Sequence, residues 1–512
     1  MSSPATTAPL PDPTICEQAR LSRDPRFDGL FFTAVRTTGI YCRPTCPAPA
    51  AKSRNVDYFA NAAAAEAAGF RPCLRCRPEL SPADGSWRRG DDTVARALKL
   101  IDQGLLAEQP LSALAARVHV GERQLRRLFV DRLGAAPIGV HGTRRLLFAK
   151  QLLTETALPI TEVASAAGFG SLRRFNSSFL DAYGMAPRVL RKHEPAKHAQ
   201  ALSLRLNYRP PYDFAAMLDF LRGRALPGVE VVDEASYLRV VGDASSPGWL
   251  RVSALRGEHA LRLELHGITP PALLGIVDRV RRMFDLDADP GAIASVLSRD
   301  SRLRALVRKR PGLRLPSGWD GFEIAVRAVV GQQVSVAAAR TVTARLAERF
   351  GTALPESFAG LGLRHVFPTP DALVNADFDG IGLTTARAAT IRTIARAVVD
   401  GDADFRAERT LDDLVARWTA LPGIGPWTAQ YIALRALGHP DAFPAEDLVL
   451  QKHLPGDGSR LSAKALRERA ENWRPWRGYA VIHLWRDAAL ATRTNDTPPK
   501  TNTRKTAGST AT

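Results

Sequence analysis

The chain has 512 residues and a formal net charge of +18, with 70 Lys and Arg against 52 Asp and Glu. Its length predicts several domains of about 100–200 residues, and its charge favours a nucleic-acid partner, with a basic surface that binds no polyanion as the alternative. No stretch of about 18 apolar residues and no apolar leader occurs, which argues against a membrane protein and a secreted one.

Residues 1–15 are rich in Pro, Ser and Thr and are predicted to be disordered. A cysteine-bearing segment follows over residues 16–80, and four of its five cysteines lie between positions 42 and 76. In the reducing cytoplasm, where we expect this protein, clustered cysteines are more often ligands or nucleophiles than disulfides. Cys16 stands apart from the cluster and is interpreted as incidental.

The four clustered cysteines form two pairs. Cys42 and Cys46 are separated by three residues, Cys73 and Cys76 by two, and 26 residues lie between the pairs. This spacing fits one tetrahedral Zn²⁺, because each turn can present two thiolates at about 2.3 Å from the metal. The spacing alone predicts a structural zinc site.

The sequence around the cysteines, "FFTAVRTTGIYCRPTCPAPAAKSRNVDYFANAAAAEAAGFRPCLRCRPE", resembles the N-terminal domain of the Ada family, with all four cysteines in register. The resemblance implies that Cys42 takes a methyl group from a methyl phosphotriester in DNA. A zinc-bound sulfur stays ionised, and its methylation changes the charge of the site from −2 to −1, so the event can act as a switch on DNA binding. A purely structural zinc arm is the alternative.

Residues 81–92 read as a linker of turn residues, and apolar residues then recur at helical spacing over residues 93–193. "FVDRLGAAP" (129–137) returns as "FLDAYGMAP" (179–187), so the segment contains a repeat. Each copy predicts a helix-turn-helix motif whose second helix is basic and enters the major groove; a bundle with a solvated basic face is the alternative. The candidate DNA contacts are Arg123, Gln124, Arg126 and Arg127 in the first copy, and Arg173, Arg174 and Asn176 in the second.

This repeat resembles the DNA-binding domain of the AraC family, including the F-x4-G-x2-P ending of each half and the linking helix around "RRLLFAKQLL". The resemblance implies sequence-specific binding to promoter DNA and activation of transcription, with RNA polymerase as a partner.

Residues 201–285 mix alternating and helical patterns and predict a small α+β domain, and residues 286–491 are predominantly helical. "LPGIGPWTAQYIALRALG" (421–438) places Gly423 and Gly425 between two helices, where backbone N–H groups can bind a phosphate. A plain helix-helix turn is the alternative. "FPAEDLVLQKHL" (443–454) follows with an acidic pair, and the polar, basic residues 492–512 are predicted to be a disordered tail.

The combination resembles the helix-hairpin-helix glycosylases of AlkA type, from "LNYRPPYDF" (206–214) through "RPGLRLPSGWDGFEIAVRAVVGQQVSV" (310–336) to "WRPWRGYAVIHLW" (473–485). The resemblance implies hydrolytic excision of alkylated bases of the 3-methyladenine type, with Asp447 rather than Glu446 as the catalytic carboxylate. It also implies a base pocket formed by Trp427, Tyr431 and Trp485, although without the resemblance each of them is better interpreted as a core or interface aromatic.

Three features depart from the related families. The stretch "GPWTA" lacks the lysine that bifunctional glycosylases carry after the hairpin, so no Schiff base is expected. Gln333 stands where AlkA proteins often have a leucine that enters the base stack, and we expect it to contact DNA. No "PCHRV"-type motif occurs, so the second methyltransferase domain of the Ada family is not expected.

The sequence therefore predicts a multi-domain α+β protein: a small zinc-bound α/β module, an all-α tandem helix-turn-helix module, a small α+β domain and an all-α helix-hairpin-helix domain. We expect a monomer that binds one Zn²⁺ and double-stranded DNA, both alkylated and promoter DNA, and no membrane. The predicted function is alkylation repair with its regulation. The alternatives are a regulator whose glycosylase half only binds DNA, and a glycosylase with a structural zinc arm.

Overall fold

The computed structural model describes residues 10–83, 93–102, 104–191, 193, 201–242, 245–405, 410–454 and 459–495. The disorder predicted for residues 1–9 and 496–512, and the linker predicted over residues 84–92, lie outside this part of the chain. Within it, no helix combines the length and the apolar character that a membrane span requires.

The N-terminal module is a four-stranded sheet with two helices. Its strands lie in the order β3-β1-β2-β4, with β2 parallel to β4 and the other pairs antiparallel. Its elements are α1 (Pro13–Ser22), β1 (Phe32–Val35), β2 (Ile40–Cys42), β3 (Val56–Phe59), α2 (Ala62–Ala67) and β4 (Arg71–Pro72).

Helix α1 begins inside the segment that was predicted to be disordered up to residue 15. Asp12 caps the helix by accepting a hydrogen bond from the Thr14 N–H, and Pro13 occupies the first turn, where its missing N–H has no cost. The helix buries Cys16, which packs with Phe31. The disordered segment therefore ends earlier than predicted. The Asp12 cap stabilises the first turn of α1 despite the Pro- and Thr-rich composition around it.

The second module consists of two similar helix-turn-helix units joined by a long helix. In the first unit α6 buries Leu125 and Phe129, and in the second α9 buries Phe175 and Phe179, at the same four-residue spacing. The elements are α3 (Thr93–Asp102), α4 (Leu105–Glu108), α5 (Leu111–Arg117), α6 (Glu122–Leu133), α7 (Pro137–Glu155), α8 (Ile160–Ala166), α9 (Leu172–Tyr183) and α10 (Pro187–Leu190).

The third module is a five-stranded antiparallel sheet in the order β5-β9-β8-β7-β6. Its elements are β5 (Ala201–Asn207), α11 (Phe214–Arg222), β6 (Glu230–Val232), β7 (Ser236–Gly242), β8 (Pro247–Ala254), β9 (Ala260–His266) and α12 (Leu273–Met283). Leucines of β5 and β9 share one continuous buried cluster with Leu152 of α7 and Phe179 of α9. The second helix-turn-helix unit is therefore packed directly against this sheet.

The fourth module is helical, with one short β-hairpin. Its elements are α13 (Pro290–Leu297), α14 (Ser301–Lys309), α15 (Gly321–Val330), α16 (Val336–Phe350), β10 (Thr352–Ala353), β11 (His365–Val366), α17 (Pro370–Leu373), α18 (Thr385–Val399), α19 (Leu411–Thr419), α20 (Pro426–Ala436), α21 (Leu448–His453), α22 (Ala463–Ala470) and α23 (Arg477–Asn495). Helix α23 includes residues 492–495, so the predicted tail begins later than residue 492.

Candidate functional site

The four clustered cysteines converge at the ends of two neighbouring strands. Cys42 ends β2, Cys73 directly follows β4, and the parallel pairing of Tyr41 with Pro72 brings these two positions side by side. All four Sγ atoms lie within 4.8 Å of one another. Four thiolates on one tetrahedral Zn²⁺ lie about 3.8 Å apart, so this donor set fits a single zinc ion.

The cluster has a buried half and a more open half. Cys73 and Cys76 are buried, and their sulfurs accept hydrogen bonds from the Arg75 N–H (3.4 Å) and the Arg43 N–H (3.3 Å). Cys42 and Cys46 are partly exposed. A group from outside the protein can therefore reach the sulfurs of Cys42 and Cys46 more easily than those of Cys73 and Cys76. The geometry does not distinguish between Cys42 and Cys46.

The long helix α7 reaches the buried half of the cluster. Lys150 donates hydrogen bonds to the Cys73 carbonyl at 3.0 Å and to the Glu79 carboxylate at 2.7 Å, and both side chains are almost fully buried. Glu79 also pairs with Arg77, which in turn binds Glu155 of α7 at 2.9 Å. Sequence reasoning missed these residues because they look like ordinary surface charges until the two modules pack.

The predicted DNA-contacting residues lie on two exposed helix faces. On α6, Arg126 forms an ion pair with Glu122, which lies one turn away at 3.5 Å. In α9 the Ser171 hydroxyl caps the helix by accepting from the Arg174 N–H. All seven predicted side chains are solvent-exposed: Arg123, Gln124, Arg126 and Arg127 on α6, and Arg173, Arg174 and Asn176 on α9.

In the C-terminal module, the carboxylate of Asp447 is held from four directions. Asp447 caps α21, and its Oδ1 accepts from the N–H groups of Val449 (3.0 Å) and Leu450 (3.1 Å). The indole Nε1–H of Trp485 donates to the same oxygen at 3.1 Å, and the Nε1–H of Trp427 donates to Oδ2 at 3.1 Å. These four N–H donors hold the carboxylate in a fixed orientation.

The two acidic neighbours face different surroundings. Asp447 is buried, whereas Glu446 is partly exposed and forms an ion pair with Arg467. Only Asp447 bonds to the two tryptophans. The structure thus places Asp447, and not Glu446, among the predicted aromatic residues.

The predicted pocket aromatics form a continuous set next to Asp447. The rings of Trp427 and Tyr431 are stacked, with centroids 5.2 Å apart at an interplanar angle of 25°, and Trp485 lies 6.1 Å from Tyr431. All three are partly exposed. Aromatic faces left open beside a carboxylate form a surface on which a flat, electron-poor ring can stack.

The hairpin between α19 and α20 is held against the loop after α15. Gly423 has φ +85, and a Cβ there would lie 1.9 Å from the Thr390 hydroxyl, so only glycine fits. Gln332 donates to the Gly423 carbonyl at 3.1 Å and to Thr428 Oγ1 at 3.0 Å. Its neighbour Gln333 is exposed and has φ +55. A left-handed backbone conformation is strained at a residue that has a Cβ, and such residues are often found in functional loops.

Four families of known domains match the chain in the order of its modules. They are the metal binding domain of Ada (residues 15–79), a helix-turn-helix domain (114–193), the AlkA N-terminal domain (203–320) and the HhH-GPD superfamily of base excision DNA repair proteins (326–477). The predicted architecture, including the Ada-type zinc-binding module, is confirmed.

Relatives from two strains of Mycobacterium tuberculosis match nearly the whole chain. The probable bifunctional transcriptional activator/DNA repair enzyme AlkA of Mycobacterium tuberculosis (strain H37Rv) is 39% identical over 491 residues, which cover 95% of this chain and 98% of that protein. The chain belongs to this bifunctional AlkA family.

Two further comparisons cover the C-terminal half of this AlkA-family chain. The DNA-3-methyladenine glycosylase 2 of Escherichia coli (strain K12) is 34% identical over 286 residues, 55% of this chain and 95% of that enzyme. A solved structure, the 3-methyladenine DNA-glycosylase from Archaeoglobus fulgidus, is 21% identical with a TM-score of 0.50, over 56% of this chain and 99% of that one. The latter likeness supports the fold.

Two residues of the AlkA N-terminal domain, Phe220 and Arg224, lie close to this aromatic set, and sequence reasoning missed both. The Arg224 guanidinium lies 3.8 Å over the Phe220 ring, and Arg435 lies 4.6 Å over the same ring and 5.9 Å over Tyr431. The pattern "FAAMLDFLRGRA" does not predict contact with these aromatics. In the sequence, Phe220 and Arg224 look like ordinary residues at the end of an amphipathic helix.

The neighbouring arginines change the pKa of the Tyr431 phenol. Burial raises the pKa of Tyr431, but Arg435 and Arg224 outweigh it and hold that pKa below its ordinary value. Burial lowers the pKa of Arg435 to about 10, so this side chain stays charged at neutral pH. Tyr431 therefore lies next to the permanent positive charge of Arg435.

Replacing Gly423 by alanine should destabilise the hairpin, because the new Cβ meets Thr390 and the backbone keeps a positive φ. We expect a loss of about 1–3 kcal/mol in the free energy of unfolding, together with weaker DNA binding by the C-terminal half. Thermal unfolding of the full chain measures the first effect. Gly425→Ala is the matched control, since Gly425 has φ −88 and open space around an added Cβ. Equal stability of the two variants would contradict the prediction.

Proposed function

We propose that this chain repairs alkylated DNA by two reactions and regulates that repair. It hydrolyses the N-glycosyl bond of alkylated bases of the 3-methyladenine type, and it accepts methyl groups from DNA phosphotriesters on Cys42. The observation that carries the proposal is the Asp447 carboxylate, which two indole N–H groups hold at 3.1 Å beside an open aromatic set.

The pocket geometry supports base release without a covalent intermediate. A base alkylated on a ring nitrogen is cationic, so it stacks well on Trp427 and Tyr431 and is a good leaving group. As the C1′–N bond breaks, the base leaves with the electron pair, and the Asp447 carboxylate stabilises the positive charge that develops on the sugar. Water then adds to the sugar carbon and releases a proton to solvent, so the products are the neutral base and an abasic sugar. The residue after the hairpin glycines is Pro426 and no lysine follows within α20, which supports a monofunctional enzyme.

The cysteine cluster supports methyl transfer. When bound, zinc keeps the four sulfurs ionised at neutral pH. Cys42 Sγ forms a bond to the methyl carbon while the carbon–oxygen bond of the phosphotriester breaks, and the phosphate oxygen leaves with the electron pair as a diester anion. The transfer leaves a stable thioether on Cys42, and no step of this reaction cleaves it, so one methyl group is transferred per protein molecule.

Regulation rests on the helix-turn-helix pair. The exposed faces of α6 and α9 carry the side chains that we propose contact bases and phosphates of promoter DNA. Methylation removes one negative charge from the cysteine cluster, which lowers its repulsion of the DNA backbone. We propose that the methylated protein, a monomer in the reducing cytoplasm, binds its promoters more tightly and recruits RNA polymerase there.

One experiment tests both reactions. The purified, zinc-loaded protein is incubated with duplex DNA treated with a methylating agent, and both free alkylated base and methylated protein are measured. The proposal expects both products. Free base without protein methylation would favour a glycosylase with a structural zinc arm, and protein methylation without free base would favour a regulator whose glycosylase half only binds DNA.

A further inference from the structure

Arg209 belongs to the AlkA N-terminal domain, yet its side chain reaches the zinc module. The residue follows β5 and is fully buried. Its guanidinium donates to the Asp28 carbonyl of the zinc module at 2.8 Å and to the carbonyls of Asp287 and Ala288 at 2.8 and 3.1 Å. It also donates to the Ala83 carbonyl, in the segment that leaves the zinc module. One side chain thus joins segments from both halves of the protein.

The side chain of Asp28 continues this connection toward the cysteines. Its buried carboxylate accepts from Arg43 Nε at 2.9 Å and from the Ser81 hydroxyl at 3.0 Å. Arg43 donates from its side chain to the Cys76 carbonyl at 3.1 Å and from its backbone N–H to Cys76 Sγ at 3.3 Å. A continuous chain of hydrogen bonds therefore runs from Arg209 through Asp28 and Arg43 to Cys76.

The surroundings of this chain of hydrogen bonds are closely packed. Gly29 follows Asp28 with φ +77, and a Cβ there would lie 1.8 Å from the Pro82 carbonyl oxygen. The Ala83 N–H donates to the Asp287 carboxylate at 2.8 Å, so the backbone itself also bridges the two halves. Buried hydrogen-bonding groups that lose their partners are costly, so a change at Arg209 must be felt at Asp28.

We propose that Arg209 is a positioning residue of the zinc centre: it docks the zinc module on the glycosylase half, and the Asp28–Arg43 pair carries that restraint to Cys76. The zinc centre is then stabilised by a residue more than a hundred positions outside its own domain. Zinc retention and the packing of the two halves become coupled, so loss of either one weakens the other. This inference depends on zinc binding at the cysteine cluster and not on methyl transfer.

The first test measures zinc release from the full chain into an excess of chelator. Arg209→Lys keeps the charge but loses the planar fork that reaches several carbonyls. We expect release about tenfold faster than from the parent, at the lower end of the range for groups that orient metal ligands. Arg256→Lys is the matched control, since Arg256 is an exposed arginine of the same domain, and it should release zinc at the parental rate.

Two further variants separate positioning from general loss of stability. Gly423→Ala destabilises the hairpin between α19 and α20, which is not part of the hydrogen-bonded connection from Arg209 to Cys76, so its zinc release should equal that of the parent. Asp28→Asn should speed release, and the Arg209→Lys/Asp28→Asn double variant should release zinc no faster than the stronger single variant, because both act on one connection. Parental release from Arg209→Lys, or faster release from Gly423→Ala, would overturn the proposal.

A second measurement needs no variant and covers the case in which Arg209→Lys does not fold. Hydrogen exchange is compared between the zinc-loaded chain and the same chain after zinc removal. Amides around Asp287 and Ala288 should exchange faster without zinc, whereas those of α18 should be unchanged. Unchanged exchange around Asp287 and Ala288 would overturn the coupling, whatever the outcome of the base-release and methylation assays.

Discussion

Replacing Asp447 by asparagine should lower single-turnover release of alkylated bases by about 10²–10³-fold, the usual effect of removing one preorganised electrostatic group from an active site. The substitution keeps the side-chain volume and the cap of α21 but removes the negative charge. An amide has only one oxygen, so one of the two indole N–H groups that now bind the carboxylate, those of Trp427 and Trp485, loses its acceptor. The sugar cation is then no longer stabilised as the base departs.

The measurement is the rate of free-base formation with protein in excess over methylated DNA, with DNA affinity measured alongside. Glu446→Gln is the matched control, because it makes the same chemical change one residue away, where the carboxylate pairs with Arg467 outside the aromatic set. The control should keep nearly full activity. Normal base release by Asp447→Asn, or its loss in Glu446→Gln, would show that the pocket is assigned to the wrong carboxylate.

Replacing Cys42 by serine should abolish methyl uptake from DNA phosphotriesters. A serine hydroxyl is not ionised at neutral pH and is a weak zinc ligand, so the variant lacks the nucleophile even when three thiols still hold the metal. Base release should persist, since the Asp447 pocket belongs to the other half of the chain. The assay follows transfer of labelled methyl groups to the protein in zinc-containing buffer.

The parent protein provides the decisive control, because Cys42 and Cys46 are both partly exposed. Arg43 is followed by Pro44, so trypsin leaves both cysteines in one peptide over residues 37–52. Fragment spectra must therefore locate the methyl group between them. Methylation of Cys46, or continued uptake by Cys42→Ser, would disprove the assignment of Cys42.

Much of the architecture could be predicted because its signals are local. The cysteine spacing, the repeated F-x4-G-x2-P endings and the glycine hairpin each lie within short stretches, and the structure forms a cysteine cluster, two helix-turn-helix units and a hairpin there. The start of α1 was misjudged for a related reason. Composition suggested disorder up to residue 15, but the Asp12 cap and the burial of Cys16 begin the helix at Pro13.

The partners of the site residues could not be predicted in this way. Phe220 and Arg224 lie near Tyr431 only because the end of α11 packs beside α20, and no local pattern distinguishes them from an ordinary helix end. The same holds for Lys150, whose contact with the Cys73 carbonyl spans 77 positions. Such contacts depend on how whole modules pack, which periodicity within one segment does not record.

The sequence by itself determined which chemical groups this protein has: two thiol pairs, two basic recognition helices, a glycine hairpin and an acidic pair with nearby aromatics. The tertiary structure decided which of them act together. It places Asp447, and not Glu446, against the two tryptophans, because Trp427 and Trp485 donate to that carboxylate from 20 and 38 positions away. It joins Arg209 to Asp28 across 181 positions. Hydrogen bonds are short-ranged, so only the folded chain brings such distant donors and acceptors within reach.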